Sequence, residues 1–411
     1  MRLEQKRWLM LAATMIANIC IGSGYAWSVF QDPLISLYNW SPVQTSLAFT
    51  LIMGISALPM VVVGKIQDYV QPRYIIFTGG LIFGLGTFAT GYIASLHQLY
   101  LLYGVVAGLG MGIVYSGGLS NMIRFFPDRK GLCSGLLAAG MGSGALVIAP
   151  LAAVLIDSLG VLTTFKVLGI LFTIIICGLS FLIETAPLNF KPAMWEPTND
   201  NTKTSPVDKD WKEMLGSPSF YFIAAMFILG TIAGLMVIGH ASSILQELVG
   251  LTAKKSAVLV GVLSLANTTG RVFWGWLSDR LGCFPTCIFL YIIVSVSMFG
   301  LIALPRNQIF VAAMMVVGLC YGGFMSMIAS LTAEVYGTKN LPVNFGIMFL
   351  AFGVAAFIGP RLAAIIKVAN QGDYSQAFMV AGILSIVGIA FTIITMYINK
   401  RETLQHHLSE N

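Results

Sequence analysis

The sequence predicts an all-α membrane protein of twelve transmembrane helices, arranged as two six-helix bundles. Three observations predict it. Of 411 residues, 57% are hydrophobic and only 10% charged, whereas a soluble domain carries about 25% charged residues. Apolar stretches recur along the whole chain, each near the roughly 20 residues that cross about 30 Å of hydrocarbon at 1.5 Å per residue. One long polar stretch, residues 184–217, falls midway.

The first span is placed at residues 8–30. Arg2, Lys6 and Arg7 precede it, but it is too long for a signal-peptide core and no small-residue cleavage site occurs before Phe30, so it is expected to stay as a helix. The next five are placed at 44–64, 73–93, 98–123, 131–156 and 163–183. The fourth and fifth are rich in glycine (Gly104, Gly108, Gly110, Gly112, Gly117 and Gly118, then Gly135, Gly140, Gly142 and Gly144). Small residues let helix backbones approach where lipid supplies no hydrophobic drive between them. Such packing serves either bundles that rock against one another or one rigid bundle. The last six spans are placed at 218–246, 256–277, 284–303, 309–333, 341–366 and 375–399.

Residues 184–217 contain Pro187, Pro192, Pro197 and Pro206 among mixed charges and read as a linker. The expected division is residues 1–183, a linker of 184–217, and 218–411 with a short tail. Positively charged loops are held in the cytoplasm. With the N-terminus inside, sixteen of the 23 Lys and Arg fall on the inner side and five on the outer. Both termini are therefore expected in the cytoplasm, in a bacterial inner (plasma) membrane. The net charge of +6 reflects this bias and implies a lipid bilayer as surroundings, with no nucleic-acid partner. Cys20, Cys133, Cys177, Cys283, Cys287 and Cys320 lie in spans or at inner ends, where disulfides are not expected. Cys283 and Cys287 lack the His or acidic neighbours of a metal site.

A short signature recurs in the two halves: Gly64 and Asp68 after the second span, Gly275 and Asp279 after the eighth. Internal duplication of this kind is common in secondary transporters. The second copy, Gly275 to Gly282, resembles the loop signature of the major facilitator superfamily. The first departs from it, with Tyr69 and Gln71 where a basic residue and a glycine are usual, and retains Gly64, Asp68 and Arg73. The stretch Arg124-Phe125-Phe126-Pro127-Asp128-Arg129-Lys130-Gly131, with residues 24–30, 234–240 and 344–349, resembles the oxalate:formate antiporter and monocarboxylate transporter families. The resemblance implies the major facilitator fold and alternating access. It also implies a gating role near the cytoplasmic side for Asp68, Arg73, Asp128, Arg129, Asp279 and Arg280.

Two cations, Arg271 and Arg361, fall inside predicted spans, and none of the 17 acidic residues falls in the middle third of one. A guanidinium in hydrocarbon calls for an anion, and its planar fork matches a carboxylate through two hydrogen bonds. Arg271 is accordingly expected to bind the carboxylate of a substrate. Family members also place their substrate arginine here. Arg361 is nine residues, or about 180°, round its helix from Phe352 and is expected to be structural. Asn267 lies one turn before Arg271 on the same face and is expected to orient it. Many proton-coupled relatives carry an aspartate there; asparagine cannot take up a proton. His240 is either a titratable group at the site or a hydrogen-bonded packing residue.

The resemblance further implies that Tyr25, Tyr115 and Tyr321 line the cavity, where hydroxyls orient a carboxylate and rings exclude water. Phe352 stands where the oxalate exchanger has a lysine. A dianion would then keep one charge unpaired, at a cost of several kcal/mol, so a monoanion such as pyruvate, lactate or formate fits better. No nucleotide-binding or catalytic motif occurs. The expected function is secondary transport of small organic anions without a cofactor, coupled to a proton or to a counter-transported anion. Oxalate/formate exchange, or a nutrient sensor built on a transporter, are the alternatives.

Overall fold

The computed structural model describes residues 3–66, 69–126, 130–187, 208–337 and 340–409. All regular structure among them is helical. Twelve helices are long and apolar enough to span a membrane: α1 (Glu4–Tyr38), α2 (Pro42–Val63), α3 (Pro72–Thr90), α4 (Leu96–Phe125), α5 (Cys133–Leu159), α6 (Val161–Ser180), α7 (Pro218–Glu247), α8 (Ala253–Ser278), α9 (Cys283–Ala303), α10 (Gln308–Tyr336), α11 (Val343–Ala369) and α12 (Ser375–Asn399). They form two bundles of six, α1–α6 and α7–α12. With an even number of spans, the start of α1 and the end of α12 share one side, called here the terminus side; the opposite side is the far side.

The first helix is longer than its apolar run predicts. It continues past Phe30 through Pro33 to Tyr38 and stops where Asn39 turns left-handed at φ 55°. Ser41 and Gln44 then open α2 with a reciprocal capping box, which satisfies two amide donors that a helix start otherwise leaves bare. At its middle α1 tightens into a 3₁₀ turn, Gly22–Ala26. Mid-helix 3₁₀ turns often mark hinges. Here the turn lies against the interruption of α5 at Ser143, whose hydroxyl caps the Gly140 carbonyl at 3.0 Å.

Small residues set how the helices meet. A Cβ at Gly22 would collide with the Met141 carbonyl oxygen, and one at Gly144 with the Gly22 backbone. The bundles join along three seams, α1 with α7, α2 with α11 and α5 with α8. In the α2–α11 seam a Cβ at Gly353 would lie 3.3 Å from the Gly54 oxygen. Gly144→Ala is therefore expected to cost about 1–3 kcal/mol through overpacking. Gly135→Ala, where a Cβ meets nothing within 4 Å, should be nearly neutral. Denaturation of the two purified variants in detergent checks the contrast, and equal losses would remove the steric account.

A short helix precedes α7. Helix Trp211–Gly216 starts with a capping box of Asp210 and Glu213. Just ahead of it, Lys209 donates its amide to the Tyr336 carbonyl and accepts from the Asn344 side chain at 3.0 Å. This ties the segment to the ends of α10 and α11.

Candidate functional site

Arg271 lies at the interface between the bundles. Its height on α8 is fixed by backbone contact with α10: a Cβ on Gly270 would collide with the Leu319 carbonyl, and one on Gly322 with the Asn267 carbonyl. Arg271 is only 8% exposed. Its Nη1 donates to the Ala138 carbonyl of α5 at 2.9 Å, Nε to Asn267 Oδ1 at 3.4 Å, and Nη2 to the Tyr25 hydroxyl at 3.4 Å. All three acceptors are neutral. The last two contacts exceed the 2.7–3.2 Å of ordinary N–H···O bonds. Nε and Nη2 form the edge of the guanidinium that grips a carboxylate side-on. That edge is thus loosely held, while Nη1 is anchored.

Around it the structure gathers the tyrosines. Tyr25 comes from the 3₁₀ turn of α1, and its hydroxyl lies 3.3 Å from that of Tyr321 on α10, with the rings edge-on at 6.3 Å. Tyr115 on α4 is within electrostatic reach of both Arg271 and Tyr25. Beside them a cavity of about 10 Å³, lined by Tyr25, Ile238, Val260, Leu263, Ser264 and Asn267, has room for about one water. Ser264 caps the Gly142 carbonyl at the α5 interruption.

Phe352 and His240, also expected at the site, each have packing partners of their own. Phe352 is buried in an aromatic row on α11, 5.0 Å from Phe349. It supplies apolar bulk and no charge. His240 is fully buried, its Nε2 is 2.8 Å from the Pro360 carbonyl, and its ring lies against Tyr374 at 5.9 Å. It belongs to a far-side cluster rather than to the group around Arg271. Arg361 stacks over Phe357 at 5.8 Å. On the terminus side, Arg73 covers the ring of its neighbour Tyr74, and Arg280 that of Trp276 at 4.2 Å. Asp68, Asp128 and Arg129 lie outside the described residues, as does the side chain of Asp279.

The far-side cluster escaped the sequence reading. Asp32 on α1 is approached by the Ser243 hydroxyl of α7 at 2.9 and 3.0 Å from its two oxygens, and by Gln246 Nε2 at 3.3 Å. Next to it, Lys367 of α11 pairs with Glu247 of α7 at 2.6 Å and faces the Tyr374 ring. Tyr374 lies outside the spans, and burial raises its hydroxyl pKa well above the ordinary value. An exposed pair, Lys254 with Asp157 at 2.7 Å, also bridges the bundles on this side. Polar contacts between the bundles are present at the centre and on the far side. No group of three metal-ligating side chains occurs among the described residues.

Comparison with known proteins places the chain. The profile of the Major Facilitator Superfamily matches residues 8–307. The uncharacterized MFS-type transporter YhjX of Escherichia coli (strain K12) is 31% identical over 86% of this chain and 86% of its own length. The oxalate:formate antiporter of Oxalobacter formigenes is 30% identical over 95% of this chain and 91% of its own. A crystal structure of a bacterial homolog of the human lysosomal transporter Spinster, inward-facing and unoccupied, has the same fold at TM-score 0.76 and 13% identity, covering 96% of this chain and 98% of that one. A match across most of the chain, with relatives similar over nearly their full length, means that this protein belongs to the Major Facilitator Superfamily of membrane transporters.

Proposed function

We propose that the protein is a secondary carrier of small monocarboxylate anions, working by alternating access, in which Arg271, positioned by Asn267 and flanked by Tyr25, Tyr115 and Tyr321, binds the substrate carboxylate. One observation carries this: a buried guanidinium whose side-on edge meets only neutral acceptors at 3.4 Å. A carboxylate on that edge replaces two long neutral contacts by two short charge-assisted ones. It also neutralises a charge that is costly in hydrocarbon. Phe352 in its aromatic row, where a second cation would be needed for a dianion, favours monoanions. Oxalate/formate exchange is the second reading, favoured by the 30% identity to the antiporter.

In this reading residues 1–183 and 218–411 are the two moving bundles and 184–217 joins them. The bias of Lys and Arg toward the terminus side supports cytoplasmic termini. The far side is then external and closed by the Asp32 cluster. Asp68, Arg73, Asp128, Arg129, Asp279 and Arg280 belong to the cytoplasmic gate, and a proton or a second anion supplies the coupling.

Thermal unfolding of the purified protein tests the substrate class. A ligand at a hundred times its Kd stabilises the folded state by about 2.7 kcal/mol. Formate, lactate or pyruvate should raise the midpoint more than oxalate does. Greater stabilisation by oxalate favours the second reading, and no effect from any of these acids overturns the proposal.

A further inference from the structure

Three polar groups follow one another along the side of α1 that meets the other bundle. Tyr25 touches Arg271 and Tyr321, while Asp32, about two turns further on, touches Ser243 and Gln246 of α7. Ser28 falls between them. It is three residues from Tyr25 and four from Asp32, spacings that put side chains on one face with about 5–6 Å between neighbouring Cβ atoms. Its hydroxyl is fully buried and has no hydrogen-bond partner among the described residues. A buried hydroxyl left alone is costly, and this one stands midway between the central site and the far-side carboxylate. The closed seam suits an ionised Asp32: Ser243 Oγ reaches both of its oxygens, and Gln246 Nε2 reaches one. A proton on either oxygen would set a donor against donors.

We infer that the protein carries a proton with its anion, and that the proton enters at Asp32 and reaches the central site by way of Ser28 and the Tyr25 hydroxyl. This rests on the carrier function proposed above, and it places the proton on α1 because the amide of Asn267 cannot hold one. With the far side open, an external hydronium gives its proton to an Asp32 oxygen and leaves as water. The seam does not close on the acid so formed. Closure requires the proton to go inward: the Asp32 O–H bond breaks, Ser28 takes a proton on one side while releasing its own on the other, and one water spans each gap. Tyr25 repeats the exchange. The proton ends on water in the cavity beside Tyr25 and Asn267, from which it leaves with the anion once the terminus side opens. Asp32 is then a carboxylate again, and Ser243 and Gln246 close on it.

The other titratable groups around Asp32 are engaged elsewhere. On α7, Glu247 pairs with Lys367 of α11, and His240 donates its Nε2–H to the Pro360 carbonyl. Tyr374, ahead of α12, keeps its proton because burial raises its hydroxyl pKa. The outer half of α1 also packs on α2, α5 and α6. No titratable side chain occurs in α2, and at this end Asp157 of α5 and Lys166 of α6 engage Lys254 and the Tyr92 ring.

The experiment compares two modes in proteoliposomes, measured over protein-free vesicles: uptake of labelled pyruvate, lactate or formate driven by acid outside, and exchange of label for internal unlabelled anion at equal pH. Wild-type protein should accumulate the anion under the gradient and acidify the interior as it does so. Asp32→Asn should slow gradient-driven uptake by about a hundredfold, the scale of a lost proton-transfer group, and still exchange. Ser28→Ala leaves the seam contacts in place and should exchange at the wild-type rate, while gradient-driven uptake falls by about tenfold because water recovers part of the relay. It carries the test if Asp32→Asn does not fold. Gradient-driven uptake unaltered in the folded variants, or wild-type transport indifferent to the gradient, overturns the relay and leaves the carrier reading intact. Wild-type protein that neither exchanges nor accumulates any of the three anions overturns both.

Discussion

Arg271→Gln should reduce uptake of labelled pyruvate, lactate or formate into proteoliposomes by at least about thirtyfold. Removing one partner of a buried, hydrogen-bonded charge pair costs about 2–5 kcal/mol, and each 1.4 kcal/mol is a factor of about ten. Glutamine preserves polarity but cannot balance a carboxylate or offer the planar fork. Arg271→Lys retains the charge without the fork and should fall between glutamine and wild type. Folding is checked on the same samples by size-exclusion chromatography and thermal unfolding. Wild-type rates in a folded Arg271→Gln variant would sink the mechanism.

Asp32→Ala should open the far side. Its carboxylate receives hydrogen bonds from Ser243 and Gln246 across the α1–α7 seam, and a hydrogen bond to a charged group contributes about 1.5–3 kcal/mol. Losing it shifts the closed-to-open equilibrium by about ten- to a hundredfold. Spin labels at Leu37 and Asn307, exposed on the far ends of opposite bundles, report the change as a longer distance population. Ser243→Ala should give a smaller shift in the same direction, because Gln246 still reaches the carboxylate. An unaltered distance distribution in Asp32→Ala would mean that the seam is held by packing alone. The exposed Lys254–Asp157 pair, screened by water, should matter little.

The sequence made some of this legible for physical reasons. Span positions follow from the length and apolarity of each segment, and the structure returns all twelve within a few residues, apart from the extended end of α1. Arg271 stood out because a cation in an apolar helix advertises a missing partner. Interruptions within helices were hidden, because a 3₁₀ turn at Gly22–Ala26 or a break at Ser143 leaves hydropathy unchanged. Asp32 was missed for a related reason. The Asp32-Pro33 pair imitates the end of a helix, whereas α1 runs on to Tyr38. Its partners Ser243 and Gln246 lie more than two hundred residues away. His240 looked like a site residue because its real partner, the Pro360 carbonyl, carries no side-chain signature.

The close approach of Gly54 and Gly353 bears on how fast such a carrier can turn over. Where interlocking side chains join two bodies, every stroke must climb over knobs leaving their holes. A bare peptide surface resting on another offers little of that friction. Resistance to tilting then concentrates at two electrical checkpoints, the central guanidinium and the far-side carboxylate. Turnover should accordingly respond more to charge substitutions at those points than to trimming apolar bulk along the fulcrum.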